Sequence, residues 1–204
     1  MGTFKCWING SINIFNFEKP NIASNLIAKI YRCDATYLNL NDQNLLFNEF
    51  LFFASSVQTC SLNKVKIQYP NGEEVFLEDI IKPLTKLQRF YSFSKPHISL
   101  NTVKNLLNIP HFSRLSDFNL KNLDEDFDIQ IFYNYFTTNQ FTKICLHFGN
   151  AISDEFKDEL ETIVDEIIDV GYLAYQPPLI TYPQMSFQRH QNIMAVIRKK
   201  SLLK

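Results

Sequence analysis

The sequence predicts an α/β chain in which short strands alternate with helices and the strands lie side by side in a parallel sheet. Three observations carry that expectation. The stretch Leu115–Leu123, LSDFNLKNL, sets apolar residues at Leu115, Phe118, Leu120 and Leu123 with polar residues between them. That is the L-x-x-L-x-L-x-x-L rhythm of a repeat strand whose inward side chains stack on the next unit. The rhythm returns at Ala35-x-x-Leu38-x-Leu40, Val57-x-x-Cys60-x-Leu62-x-x-Val65, Leu87-x-x-Phe90 and Phe141-x-x-Ile144-x-Leu146. Each copy runs into a segment that begins polar or acidic and then carries apolar residues at helical spacing. Between positions 38, 60, 90, 118 and 144 the gaps are 22, 30, 28 and 26 residues. Regular leucine-rich repeats run about 20–29 residues with a near-constant period. The expected architecture is therefore a short, irregular leucine-rich-repeat-like solenoid of strand–helix units. Unrelated βα units in a mixed α/β domain are the alternative. A single unit has no means of burying its own apolar face, whereas a stack does.

Residues 1–171 read as the repeat domain, with an opening unit over 1–33 and five βα units over 34–171; a proline-containing basic tail occupies 172–204. In the opening unit Phe4, Trp7, Ile12, Ile14, Phe15 and Phe17 suggest one or two short strands, with Asn9-Gly10 as a tight turn between them. After Pro20, residues Ile22, Leu26, Ile27 and Ile30 mark a helical face. Trp7 stands close to the start without a polar capping segment, which leaves the first unit's apolar flank open to more domain upstream or to another chain.

The first two repeat strands lead into NEFLFFASS and FLEDIIKPL. Between them QYPNGEE, with Pro70, Asn71 and Gly72, predicts a strand–turn–strand excursion. Pro83 ends the helix begun near Leu77, because proline lacks the amide donor and clashes with the preceding turn. The third strand is followed by a helix with Leu100, Val103, Leu106 and Leu107 on one face, capped by Ser99 and closed by Pro110. DIQIFYNYF follows the fourth strand. After the fifth comes a helix from Asp154 to about Asp169, with Phe156, Leu160, Ile163, Val164, Ile167 and Ile168 as its stripe. Ser153 is its N-cap and Gly171 its left-handed C-terminal residue. Asp165, Glu166 and Asp169 make a solvated acidic face or a dock for a basic partner. The tail allows a last strand and a short helix around Asn192–Ile197, and its Arg189, Arg198, Lys199 and Lys200 face either the acidic helix or an acidic partner.

Composition excludes several classes of function. Hydrophobic content of 46% and charged content of 20% are ordinary for a globular chain, and a net charge of −1 gives no electrostatic reason to expect nucleic acid. No run approaches the length of a membrane span, and without a basic stretch followed by an apolar one near the start no secretory signal is expected. Met1-Gly2 begins half of a myristoylation signal, but Cys6 stands where Ser or Thr is wanted. Cys6, Cys33, Cys60 and Cys145 are widely spaced, as expected of thiols in a reducing compartment, so an intracellular place, cytoplasmic or nuclear, is expected. No nucleotide, metalloprotease or serine-hydrolase motif occurs. Asp124, Glu125, Asp126 and Asp128 suit a helix start, and the four histidines, His97, His111, His147 and His190, are scattered. No enzyme, metal or cofactor is expected.

Two long strings carry a likeness. NTVKNLLNIPHFSRLSDFNLKNLDEDFDIQIFYNYF, with TKICLHF and ISDEFKDELETIVDEII after it, resembles a large group of nematode F-box-associated proteins with degenerate leucine-rich-like repeats. FNEFLFFASSVQTCSLNKVKIQYPNGEEVFLEDII resembles the middle of the same proteins, so the likeness covers roughly residues 4–170. It implies a repeat domain that presents captured proteins to a ubiquitin ligase, whose scaffold an F-box docks. The L-P-x-E-like opening of an F-box is absent from this sequence, so only the repeat region carries over. The other reading is a structural or oligomerising repeat protein without a ligase role, associating through the open N-terminal flank.

Because side chains alternate along a strand, residues between the apolar ones face out. They are Tyr37, Asn39, Thr59, Ser61, Arg89, Tyr91, Asp117, Asn119, Lys143, Cys145 and His147. This set is the expected contact surface for an unidentified protein partner, with Arg89 and Tyr91 as its anchors. Ser92 stands where the third strand wants an apolar residue, which suggests a bulge there.

Overall fold

A computed structural model describes residues 5–15, 21–170 and 174–202. The expectations placed on Met1, Gly2, Phe4, Phe17, Pro20 and Gly171 lie outside the described residues. The chain divides into two compact units, Met1–His97 and Ile98–Lys204.

In the first unit the elements are β1 (Cys6–Phe15), α1 (Ile22–Ile27), β2 (Ile30–Leu46), α2 (Phe47–Ala54), β3 (Thr59–Gln68), α3 (Leu77–Ile81) and β4 (Arg89–Ser92). Every neighbouring pair, β1–β2, β2–β3 and β3–β4, is parallel. Parallel neighbours need a crossover, and each intervening helix supplies one. The pairing sets Ile12, Leu38, Cys60 and Phe90 in one row and Ile14, Leu40, Leu62 and Ser92 in the next, all buried. Positions matched by the sequence rhythm, 38, 60 and 90, are therefore register partners.

Several local expectations are corrected. Asn9-Gly10 makes no turn between two strands, because β1 is one continuous strand. Gly10 instead sits at φ +94° where β2 inserts one extra residue, Thr36, between the partners of Gly10 and Ser11. Glycine tolerates that left-handed backbone without a Cβ clash. Ile30 opens β2 and does not continue the helical face, since α1 ends at Ile27. No bulge marks Ser92: β4 pairs with β3 in continuous register, and the Ser92 hydroxyl is satisfied by donating to Ser94 O at 3.0 Å. The excursion near Pro70 does fold back, through an antiparallel bridge between Gln68 and Glu74 with Gly72 at φ +87°.

Gln43, fully buried within β2, holds its surroundings through both ends of its amide. Oε1 accepts from Ala23 N–H at 3.0 Å, and Nε2 donates to Asp42 O at 2.9 Å and Asn41 O at 3.2 Å. Just before it Asp42 is left-handed (φ 50°), and Lys64 takes the same conformation (φ 51°) at the matching place in β3.

The second unit contains α4 (Thr102–Leu107), β5 (Asp117–Leu123), α5 (Ile129–Phe136), β6 (Lys143–Phe148), α6 (Asp154–Val170), β7 (Leu179–Thr181) and α7 (Phe187–Leu202). β5–β6 and β6–β7 are parallel. Phe118 pairs with Ile144, and Leu120, Leu146 and Ile180 form the next row. Asn122 is left-handed (φ 57°) two residues after Leu120, as Asp42 is after Leu40 and Lys64 after Leu62. The core is dominated by phenylalanine. Phe132 packs against Phe127, Phe118 and Phe136 at ring separations of 5.1, 6.2 and 6.3 Å, and Phe112 lies edge-on to Phe118 at 5.0 Å.

Here too some expectations shift. Ser99 is not the N-cap of α4, which begins two residues after Asn101's predecessor; Asn101 holds the cap position while Ser99 accepts from Asn101 N–H in the turn before it. Leu100 consequently lies outside the helix and is exposed, while Val103 and Leu106 are buried. Phe141 does not enter the core; Thr142 takes the inward place, its hydroxyl donating to Leu115 O at 2.7 Å. Ser153 caps α6 through Phe156 N–H, and Leu160, Ile163, Val164 and Ile167 are buried as the stripe predicts. Asp128 caps α5 by accepting from Ile131 N–H at 2.8 Å, and Glu125 accepts from Ser153 N–H. Two members of the acidic cluster thus serve helix starts.

Residues 172–204 contribute β7 and a 16-residue α7, longer than the short helix expected. Arg189 of α7 grips α6 with a two-pronged contact to Asp165, at 2.9 and 3.0 Å, and a third to Glu161 at 3.0 Å. Among the described residues no helix is long and apolar enough to cross a membrane.

Candidate functional site

Alternation along each strand leaves a polar face opposite the core, and the pairing aligns it into rows. In the first unit one row is Ser11, Tyr37, Thr59 and Arg89; the next is Asn13, Asn39, Ser61 and Tyr91. In the second unit Asp117 pairs with Lys143, Asn119 with Cys145, and Lys121 with His147. All eleven residues expected to face a partner therefore lie on outward positions, and within each unit they stand next to one another.

Their exposure is uneven. Arg89 and Lys143 are exposed; Tyr37, Asn39, Thr59, Tyr91, Asp117, Asn119, Cys145 and His147 are half-buried. Ser61 is only 7% exposed, sunk between the longer side chains of Asn39 and Tyr91. It shapes the floor of the row.

Asparagine gives the first unit its character. Asn63 Nδ2 donates to Asn41 Oδ1 at 2.6 Å, Asn41 Nδ2 to Asn39 Oδ1 at 3.3 Å, and Asn39 Nδ2 to Asn13 Oδ1 at 3.4 Å. A chain of amides across three strands fixes rotamers before any partner arrives, so less side-chain entropy is lost on contact. Beside it the Tyr91 and Phe93 rings stack, 6.2 Å apart and 5° from parallel. The surface thus combines neutral hydrogen-bonding groups, flat rings and the exposed Arg89 guanidinium.

The second unit's face is more charged, and it sets Cys145 and His147 on one strand. Burial, with Asp117 adding to it, pushes the Cys145 thiol up from its ordinary value, which disfavours the nucleophilic thiolate. Burial, reinforced by the charge of Lys121 and by the neighbouring His190 ring, holds the His147 imidazole below its ordinary value. Its Nδ1 lies 2.5 Å from Thr181 Oγ1. Among the described residues no three His, Cys, Asp or Glu side chains gather as metal ligands. The cavity beside Phe90 and Ser92 measures about 30 Å³, room for one water.

The sequence reading missed the ends of these rows. Asn41 and Asn63 are one alternation step beyond the positions it named, as are Lys121 and, through β7, Thr181. Ser11 and Asn13 also lie outside the expected set, because β1 precedes the five repeat strands and still pairs parallel with β2. The chain matches no known protein-family model, no curated protein and no solved structure.

Proposed function

We propose that this protein is a protein-recognition module, and that each unit is a short, irregular leucine-rich-repeat-like stack whose outward strand residues grip the partner. One observation carries the reading: outward residues from successive strands line up in lateral rows, with Arg89 and Tyr91 beside preset amides. The repeat character is supported by the matched positions 38, 60 and 90 being register partners, by 118 and 144 being so, and by the left-handed residue recurring at Asp42, Lys64 and Asn122. Tyr and Arg are favoured anchors because they bury large area and offer several hydrogen bonds at modest entropic cost. The likeness to F-box-associated repeat regions extends the proposal to a protein that holds a target for ubiquitin transfer. Ligase docking itself is not assigned to these 204 residues. An intracellular site of action fits thiols that are buried or half-buried at Cys33, Cys60 and Cys145.

The test is affinity capture with the parent chain and with Arg89→Ala combined with Tyr91→Ala. Specific partners should be lost from the double variant while its circular dichroism and melting stay unchanged. An unaltered partner list contradicts the proposed face. A structural or oligomerising role is the second reading, and the open side of β1 favours it.

A further inference from the structure

β1 pairs on one side only, with β2, and forms the edge of its sheet among the described residues. Edge strands are normally protected from pairing by charge, proline, bulging or short length. Cys6–Phe15, CWINGSINIF, is ten residues long with no charged residue and no proline. The last strand of the second unit shows the contrast: β7 has three residues, Pro177 and Pro178 precede it, and Pro183 follows. Neither charge, proline nor short length blunts β1; its irregularity is the left-handed Gly10 where β2 inserts Thr36.

The order of residues in β1 says what it pairs with. Read outward in both directions from Ser11, the first pair is unlike, Gly10 against Ile12, and like then faces like: Asn9 against Asn13, Ile8 against Ile14, Trp7 against Phe15. Such a near-palindrome matches itself when two copies run antiparallel across a two-fold axis at Ser11. The backbone agrees with this register. Cys6 N–H donates to Lys29 O, and Gly10 O accepts from Thr36 Oγ1, so the groups of these two even-numbered residues turn towards β2. Alternation then turns those of Trp7, Asn9, Ser11, Asn13 and Phe15 to the open edge. A register centred on Ser11 sets these odd residues opposite one another, as hydrogen-bonded antiparallel pairing requires. It also pairs Trp7 with Phe15, which are 59% and 55% exposed in the single chain.

We infer that two copies of this chain associate through β1, antiparallel and with Ser11 opposite its own counterpart. The partner is a second copy because this strand, run antiparallel to itself, meets Trp7, Ile8, Asn9 and Ser11 with an aromatic, an isoleucine, an asparagine and a serine, Gly10 against Ile12 being the one unlike pair among them. Aromatic and amide pairs across such strands stabilise the contact, and like charges placed directly opposite oppose it.

Light scattering on the full chain should give twice the monomer mass, and Ser11→Lys, which sets two ammonium groups face to face, should return it to the monomer mass. Disulfide trapping reads the register in a Cys6→Ser background. Ser11→Cys places two thiols about 5.5 Å apart by Cα, within disulfide reach, and should link to itself under mild oxidation. Asn9→Cys is separated from its own copy by roughly 13 Å, four residues along the strand, and should not self-link. Mixed with Asn13→Cys it should link. A strict monomer, a dimer that survives Ser11→Lys, capture of a different protein's strand at this edge, or equal self-linking at Asn9 and Ser11 overturns the inference.

Discussion

Cys60 lies in the middle of the buried row between Leu38 and Phe90, and burial alone pushes its thiol up to about 12. Burial also raises Cys33. In the folded chain both should resist alkylation while exposed Cys6 reacts, and peptide mass mapping after a brief iodoacetamide pulse checks this. Phe132, fully buried and ringed by Phe118, Phe127 and Phe136, should cost about 3–5 kcal/mol when replaced by Ala, measured by denaturant unfolding. His147 gives a pH signature. Its imidazole sits below the ordinary value in the folded chain, so its contribution is fully present above the unfolded histidine range. That contribution is lost as pH falls through the folded value, because the unfolded state then binds the extra proton. His147→Gln should therefore flatten the acid side of the stability profile between neutral pH and the region below the histidine range.

At the scale of elements, the attachment of α7 is the sharpest case. Arg189 holds the Asp165 carboxyl below the usual carboxylate range by direct hydrogen bonding. The stabilisation is present above the unfolded carboxylate value and disappears as pH falls through the lower folded one. Asp165→Asn or Arg189→Ala should speed amide exchange in α7 at neutral pH, and the difference from the parent should vanish in acid. Sequence periodicity made α6 readable, because one stripe and one Ser153 cap sufficed to specify it. Phe141 was misread for a local reason. Asn139 Oδ1 accepts from the N–H groups of Phe141 and Thr142, and this turn directs Thr142 inward while Phe141 swings out. Such side-chain-to-backbone turns leave no mark in an apolar rhythm. Gly10 was ambiguous for the same kind of reason: a left-handed glycine serves a hairpin and a bulge equally well, and only the pairing with β2 decides between them.

At the scale of the whole chain, one βα plan recurs in both units, and its inward positions were legible because burial enforces apolar residues there. Leu38, Cys60 and Phe90, like Phe118 and Ile144, keep the rhythm despite insertions between strands. The outward rows were legible only as the complement of that pattern. Their chemistry, the amide chain from Asn13 to Asn63 and the Tyr91–Phe93 stack, needs lateral register that no single strand contains. These rows are proposed to contact a partner protein. A photocrosslinking residue placed at Tyr91, with a second chain carrying it at exposed Lys82 beside α3, tests this most directly. Contact predicts a discrete adduct from position 91 that Arg89→Ala abolishes, and none from position 82. Equal adducts at both positions, or an adduct at 91 indifferent to Arg89, contradict it.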